Sequence, residues 1–289
     1  MSKWTPSNQS ATLSGWYKAD AITGLSDGDA VASWVDSSGQ GNTLTQSTAS
    51  AKPSYQTNEL NSLPVVRFDK DHKGGDNMLN ADLGGDFEPG TGDFYIAMVA
   101  SFSSVGTQFF MSKADNGTEG LNVFLSTNAT TDLTFRPQTS GGTTNNVQQS
   151  NVVNSSFHTI VGRRVSSTLG SEYDGSAFTT DNGSKVNDGD MDNNANFNIG
   201  SSSTGGLDTD MDLAEAFIAV GTLNDKDLQR TSGYLSHKYG LASNLPDTHS
   251  YKSFAPAFGI VGNHNNDTQG EISLDISGDI ASDGPAGVI

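Results

Sequence analysis

Phe94-Tyr95-Ile96-Ala97-Met98-Val99-Ala100-Ser101-Phe102 is the stretch that decides the fold. Successive side chains of an extended chain point to opposite faces, so Phe94, Ile96, Met98, Ala100 and Phe102 share one side. Phe94 to Ala100 is the longest apolar run, and it has the length of a strand. A bilayer span needs about 18 apolar residues or more.

Working outward, the same period of two recurs. Leu121, Val123 and Leu125 alternate, as do Leu133 and Phe135. Phe109 and Phe110 straddle the two faces of segment 107–112, as in a strand covered on both sides. Segment 157–165 is a further strand, and 172–178 reads as a hairpin with Asp174-Gly175 at its tip. Polar stretches such as Thr139 to Asn151 and Thr179 to Asn196 separate them. Toward the N-terminus, Leu13, Trp16 and Tyr17 begin a strand, and Ala30 to Val35 is a short apolar one. Many short strands with regular turn signals predict a β-sandwich or jelly roll. Trp16 and Trp34 are then expected in the core, sealed between two facing antiparallel sheets.

One helix is predicted, over 225–239. Asn224 can cap it, Asp225 and Asp227 suit its positive end, and Lys238 suits its negative end. Leu228, Leu235 and Tyr239 share a face, Gly240 ends it and Pro246 prevents resumption. The helix is expected over one end of the sandwich. Residues 1–12 are a polar lead-in. Beyond it the chain divides into a domain over 13–256 and an acidic extension over 257–289. The last 31 residues hold Asp and Glu but no Lys or Arg, with Ile272, Leu274, Ile276 and Ile280 at strand-like spacing. Two readings stay open: a disordered acidic tail, or an arm that pairs with a sheet edge of this chain or a neighbour.

Composition narrows the function. The 289 residues carry 33 acidic against 15 basic side chains, a net charge of −18. Nucleic acid and anionic membrane surfaces would be repelled. The acid is mostly aspartate, and with 33 glycines it marks turns rather than helices. There is no cysteine, which excludes thiol catalysis and Cys-ligated metal. The start Met1-Ser2-Lys3-Trp4-Thr5-Pro6 shows no apolar leader.

Three passages resemble the laminin-G-like, concanavalin A-like lectin/glucanase domains found in bacterial surface proteins and phage virion proteins. The first is Leu13, Trp16, Asp20 and Ala21, then Val31, Trp34, Asp36, Ser38, Gly39 and Gly41. The second is Pro64-Val65-Val66-Arg67-Phe68-Asp69, then Asp76 and Leu79, with Lys70 where that family has Gly. The third joins Asn198-Ile199-Gly200 and Asp212-Leu213-Ala214-Glu215 to Tyr234 through Leu241, then Leu245-Pro246, His249 and Tyr251. The resemblance covers roughly 11–256. It implies an all-β, concanavalin A-like jelly-roll β-sandwich of two antiparallel sheets, with one C-terminal helix and an extended C-terminal arm. It also implies a glycan site on the concave face or rim loops in many members, and calcium in some.

Candidate chemistry is sparse. Glucanases of this fold use Glu-x-Asp-x-x-Glu, with the outer carboxylates about 5 Å apart in retaining enzymes. The near match is Asp210-Met211-Asp212-Leu213-Ala214-Glu215. Its first acid is one methylene short, and Glu215 falls where the laminin-G-like pattern has a non-catalytic Glu. Asp188, Asp190 and Asp192 have the 1, 3, 5 spacing of an oxygen-rich calcium loop, against the alternative of a solvated turn. Asn193 and Ile199 stand where an EF-hand needs Gly and Glu. Asp208, Asp210 and Asp212 alternate as a second acidic cluster. The histidines, at 72, 158, 237, 249 and 264, lack zinc spacing. Trp4 lies outside the sandwich pattern and is read as a sugar-contact residue or part of a dock, and Tyr55, Tyr95, Tyr173 and Tyr251 are further platform candidates that the sequence does not rank.

The expected function is non-enzymatic. The first reading is a structural or binding protein on the surface of a virus particle, most readily a tailed phage, as a decoration or adhesion subunit. Its partners would be other virion proteins or copies of itself through the C-terminal arm, and cell-surface glycans. No cofactor is required, and calcium is an option. The alternatives are a carbohydrate-binding module of a bacterial secreted or cell-surface protein and, behind it, a glycoside hydrolase.

Overall fold

The computed structural model describes residues 3–72, 75–80, 85–114, 120–125, 131–139, 146–180, 189–202, 207–222, 224–257, 261–263 and 273–275. The alternating segments condense into strands. In chain order they are β1 (Thr12–Lys18), β2 (Ser33–Trp34), β3 (Leu44–Thr45), β4 (Ser54–Leu60), β5 (Leu63–Phe68) and β6 (Met78–Asn80). Next come β7 (Phe94–Phe102), β8 (Phe109–Ala114), β9 (Gly120–Leu125), β10 (Leu133–Gln138), β11 (Val147–Gln149) and β12 (His158–Val165). They are followed by β13 (Thr168–Tyr173), β14 (Thr179–Thr180), β15 (Phe197–Ile199), β16 (Met211–Val220) and α1 (Asp225–Lys238). The last two are β17 (Val261–Asn263) and β18 (Ser273–Asp275).

Two eight-stranded antiparallel sheets result. The first runs β14-β13-β12-β7-β16-β5-β4, with β1 also on β16. The second runs β11-β10-β9-β8-β15-β6-β3-β2. Strands β17 and β18 pair with each other, Val261 opposite Asp275.

The one-sided reading of β7 is correct for one face and incomplete for the other. Phe94, Ile96, Met98, Ala100 and Phe102 enter the core between the sheets, together with Trp34, Phe110, Leu121, Phe135 and Phe197. Tyr95, Ala97 and Val99 enter a second core on the outer face of the first sheet, with Leu228, Leu235 and Tyr239 of the helix. Every residue of β7 is buried. The helix therefore lies across a sheet face rather than over an end. Each large apolar side chain moved out of water stabilises by about 1.5–3 kcal/mol, and β7 does this on two sides at once.

The helix termini follow the sequence reading. Asn224 accepts from the Asp227 N–H at 2.8 Å. At the other end Gly240 has φ +72°, and the Leu241 N–H donates to Ser236 O at 2.7 Å, closing a Schellman turn. Asp227 also accepts from the Ser10 N–H at 3.2 Å and the Ser10 hydroxyl at 3.0 Å, which ties the lead-in to the helix. Trp4 is buried edge-on against Tyr234, and Lys3 bridges Ala257, so Trp4 is a packing residue and offers no contact platform.

Trp34 lies between the sheets beside Tyr17, as expected. Trp16 does not. Neighbouring strand residues face opposite ways, and Tyr17 takes the inward slot, so Trp16 turns outward beneath α1.

Candidate functional site

Register decides what the outer face of the first sheet presents beyond the helix-covered patch. Asp212 of β16 is opposite Arg67 of β5 on one side and Ser101 of β7 on the other. Each lies two residues beyond, or across a bulge from, a residue of the outer apolar core (Val65, Val99, Ala214). The row Arg67–Asp212–Ser101 is therefore the next outward step along the strands. It forms the bed of a groove of about 400 Å³, also lined by Phe68, Asp69, Ser103, Asp210 and Met211. That volume is within the range of small-ligand sites, roughly 300–1,000 Å³.

The charges in the groove are matched internally. Arg67 Nε and Nη2 donate to the two oxygens of Asp212 at 2.7 and 2.8 Å, and Glu59 lies 3.4 Å away. These carboxylates hold the guanidinium pKa above its ordinary value. Lys70 Nζ sits 2.7 Å from Asp210 and 2.8 Å from Asp71. Burial pushes the Asp210 carboxyl upward, but hydrogen bonds from Lys70 and from the Ser104 hydroxyl at 2.5 Å outweigh it and hold its pKa below normal. Asp69 is exposed, and its Oδ1 accepts from the Asp71 N–H at 2.8 Å. Val105 and Leu207 are the exposed apolar side chains on the loops that supply Ser103 and Asp210.

The sequence candidates fall in different places. Asp208, Asp210 and Asp212 do not converge. Asp208 lies against Gly75 and near Asp76, whereas Asp210 and Asp212 go to Lys70 and Arg67. Of the calcium-loop candidates, Asp188 lies outside the described residues. Asp190 and Asp192 are exposed and bond to backbone: Asp192 accepts from the Gly90 N–H at 2.6 Å, and Asp190 from the Asp192 N–H at 2.9 Å. Under them the buried Arg164 donates to the carbonyls of Gly90, Gly92 and Gly189. Among the described residues, no three His, Asp or Glu side chains converge as a metal site. Tyr55, Tyr95 and Tyr251 are buried, and Tyr173 is half-buried with its ring 4.4 Å from that of His158, so none is an exposed sugar platform.

Glu215 has a structural role. A bulge between Leu213 and Glu215 turns its side chain to the outer face, beside Ala214. There it is fully buried beneath α1. It accepts from Trp16 Nε1 at 2.6 Å, Lys238 Nζ at 2.7 Å, Tyr239 OH at 2.9 Å and Tyr234 OH at 3.1 Å. With Glu215 sealed and Asp210 and Asp212 ion-paired, the near match to the glucanase motif has no open carboxylate pair.

Asp36 gives the first resemblance passage its physical meaning. Its carboxylate accepts from the N–H groups of Trp16, Ser38, Gly41 and Asn42 at 2.8–3.1 Å, and so organises the loop between β2 and β3 and ties it to β1. The sequence gives no hint of the groove residues Arg67 and Ser101. They stand 34 positions apart and meet only through β16.

The fold is a sandwich of two antiparallel β-sheets with a helix across one outer face. No family model matches the sequence, and no curated relative matches it. Solved structures do. The binding domain of Paraclostridial Mosquitocidal Protein 1 superposes with a TM-score of 0.58 at 12% identity, covering 77% of this chain and 52% of that one. A structure of botulinum neurotoxin type C, whose passage into cells depends on two ganglioside molecules, gives 0.53 at 9% identity, covering 75% and 50%. The binding domain of botulinum neurotoxin DC, in complex with rat synaptotagmin II, gives 0.50 at 11%, also covering 75% and 50%. This chain spans about half the length of the chains it matches, and at such identities the likeness is one of fold.

Proposed function

We propose that this protein is a non-enzymatic glycan-binding module, and that the groove over Arg67, Asp212 and Ser101 is where the saccharide lies. The observation that carries the reading is a polar groove of ligand size, built on paired strands at the rim of a lectin-like sandwich. Sugars present many hydroxyls and apolar C–H faces. Ser101, Ser103 and Asp69 in the groove suit the first, and the exposed Val105 and Leu207, outside its lining on the adjoining loops, suit the second. Ganglioside dependence in a protein of similar fold supports the class of ligand, not its identity.

Without an aromatic platform in the groove, single-site affinity is expected near the millimolar range, about −4 kcal/mol. Such a site becomes effective through many copies. This suits display on a particle or cell surface. The laminin-G-like resemblance leads us to favour the surface of a tailed-phage virion, as a decoration or adhesion subunit assembled through the 257–289 arm. A module of a bacterial secreted or cell-surface protein is the second reading.

A glycan array with the full chain, read with and without EDTA, tests binding, and the EDTA arm also tests calcium at Asp188, Asp190 and Asp192. Absence of any glycan signal would reject the reading. Mass spectrometry of purified particles tests the virion assignment, and absence of the chain from them would shift it to the second reading.

A further inference from the structure

We infer that the groove selects uncharged, hydroxyl-rich saccharides and rejects sialylated and sulfated ones. This rests on the glycan-binding reading above and adds the ligand class. The cations of the groove are already answered. Arg67 has Asp212 and Glu59, and Lys70 has Asp210 and Asp71. An anionic sugar therefore meets no unmatched positive charge. It meets Asp69, whose carboxylate has no cation beside it among the described residues, and a set of acids (Asp69, Asp71, Asp210, Asp212 and Glu59) that outnumbers Arg67 and Lys70, on a chain of net charge −18. Pulling Arg67 away to serve a ligand carboxylate would leave Asp212 unpaired in a half-buried position, which is unfavourable.

The uncommitted groups are of another kind. Ser101 lines the groove from a strand hydrogen-bonded on both sides, and its hydroxyl has no protein partner among the described residues. The Ser103 hydroxyl and Asp69 Oδ2 are likewise without one. Two hydroxyls and one carboxylate oxygen suit a vicinal diol. The sugar hydroxyls donate to Asp69 and accept from, or donate to, the serines. A ligand with its own negative charge would set like charge against Asp69.

Titration calorimetry and a bead assay with multivalent lactose against multivalent sialyl-lactose, using the full chain, decide the matter. Lactose is expected to bind at least tenfold more tightly than sialyl-lactose, with the gap narrowing at high salt. Asp69→Asn is expected to weaken lactose about tenfold and to shrink the gap. Asp69 is exposed, and Ser103→Ala, at another exposed position, provides a second check that does not depend on folding. Equal or tighter binding of sialyl-lactose would overturn the selectivity and leave the glycan reading standing. Unchanged lactose binding in both variants would overturn the placement in this groove. Binding of no saccharide at all would remove the glycan reading itself, and the selectivity with it.

Discussion

The indole N–H of Trp16 lies 2.6 Å from Glu215 Oε1, linking residues 199 positions apart. The bond fastens β1 to β16 where the helix covers both, and it accounts for two residues at once. Trp16 is buried outside the space between the sheets because its polar nitrogen has a partner there. Glu215 is buried without cost to specificity because every neighbour around it can donate a hydrogen bond.

Glu215→Ala should therefore be strongly destabilising. It strands the Trp16 N–H and the Tyr234 hydroxyl, leaves Lys238 with Asp20 and Tyr239 with the Ala214 carbonyl as their remaining acceptors, and a loss of about 3–5 kcal/mol is expected. Glu215→Gln keeps the shape but brings an amide donor among donors, with an expected loss of about 1–3 kcal/mol. Urea unfolding measures both. Glycan binding by the folded fraction of Glu215→Gln should equal that of the parent. A change in it would mean that Glu215 acts on the ligand.

Glu172 should make stability fall as pH rises. It is buried, it accepts from the Ser232 hydroxyl of α1, and burial pushes its carboxyl up to about 7. In the unfolded chain it releases its proton near 4.5, so between about pH 4.5 and 7 the folded state holds a proton the unfolded state has lost. Stability from this group is greatest at the low end and is progressively lost up to about pH 7, a change of about 3 kcal/mol. Glu172→Gln should remove that slope and unfold at higher urea than the parent at pH 8. Equal midpoints at pH 8 would contradict it.

His249 should act in the opposite sense. Burial, with His237 and Lys252 nearby, pushes it down to about 4. Its Nδ1 accepts from the Tyr251 N–H at 3.2 Å, which requires the neutral ring. Stability from this group is present above about pH 6.5 and lost as pH falls toward 4, because only the unfolded chain takes up the proton in that window. His249→Asn should flatten the acid limb of the midpoint-versus-pH curve below 6.5.

Gly175 separates conformational strain from packing. It has φ +70°, and a Cβ there would meet Leu245 Cδ2 at 2.5 Å and His249 Cδ2 at 2.9 Å. Gly24 has φ +79° with nothing within 4 Å. Gly24→Ala should cost about 1 kcal/mol, the left-handed penalty alone. Gly175→Ala should cost about 1–3 kcal/mol more, as expected for overpacking. Equal losses would show that the tip of this turn yields freely.

Some of this was legible in the chain. The alternation of 94–102, the caps of α1 and the Asp174-Gly175 turn are local signals, set by side-chain periodicity and backbone preference within a few residues. The second buried face of β7 was masked because Tyr95, Ala97 and Val99 read as the outward half of an ordinary strand. Only the helix, more than 120 positions later, makes them core. Trp4 was unreadable for a similar reason, since Tyr234 and the 256–257 segment supply its surroundings.

The sequence by itself determined an all-β sandwich closed by one capped helix, because hydrophobic period and turn chemistry act over short distances. Tertiary structure alone decided which face Trp16 and Glu215 take and that Arg67, Asp212 and Ser101 stand in one row. Those outcomes depend on strand register and on a single-residue bulge, and register is a relation between distant strands that no one of them encodes.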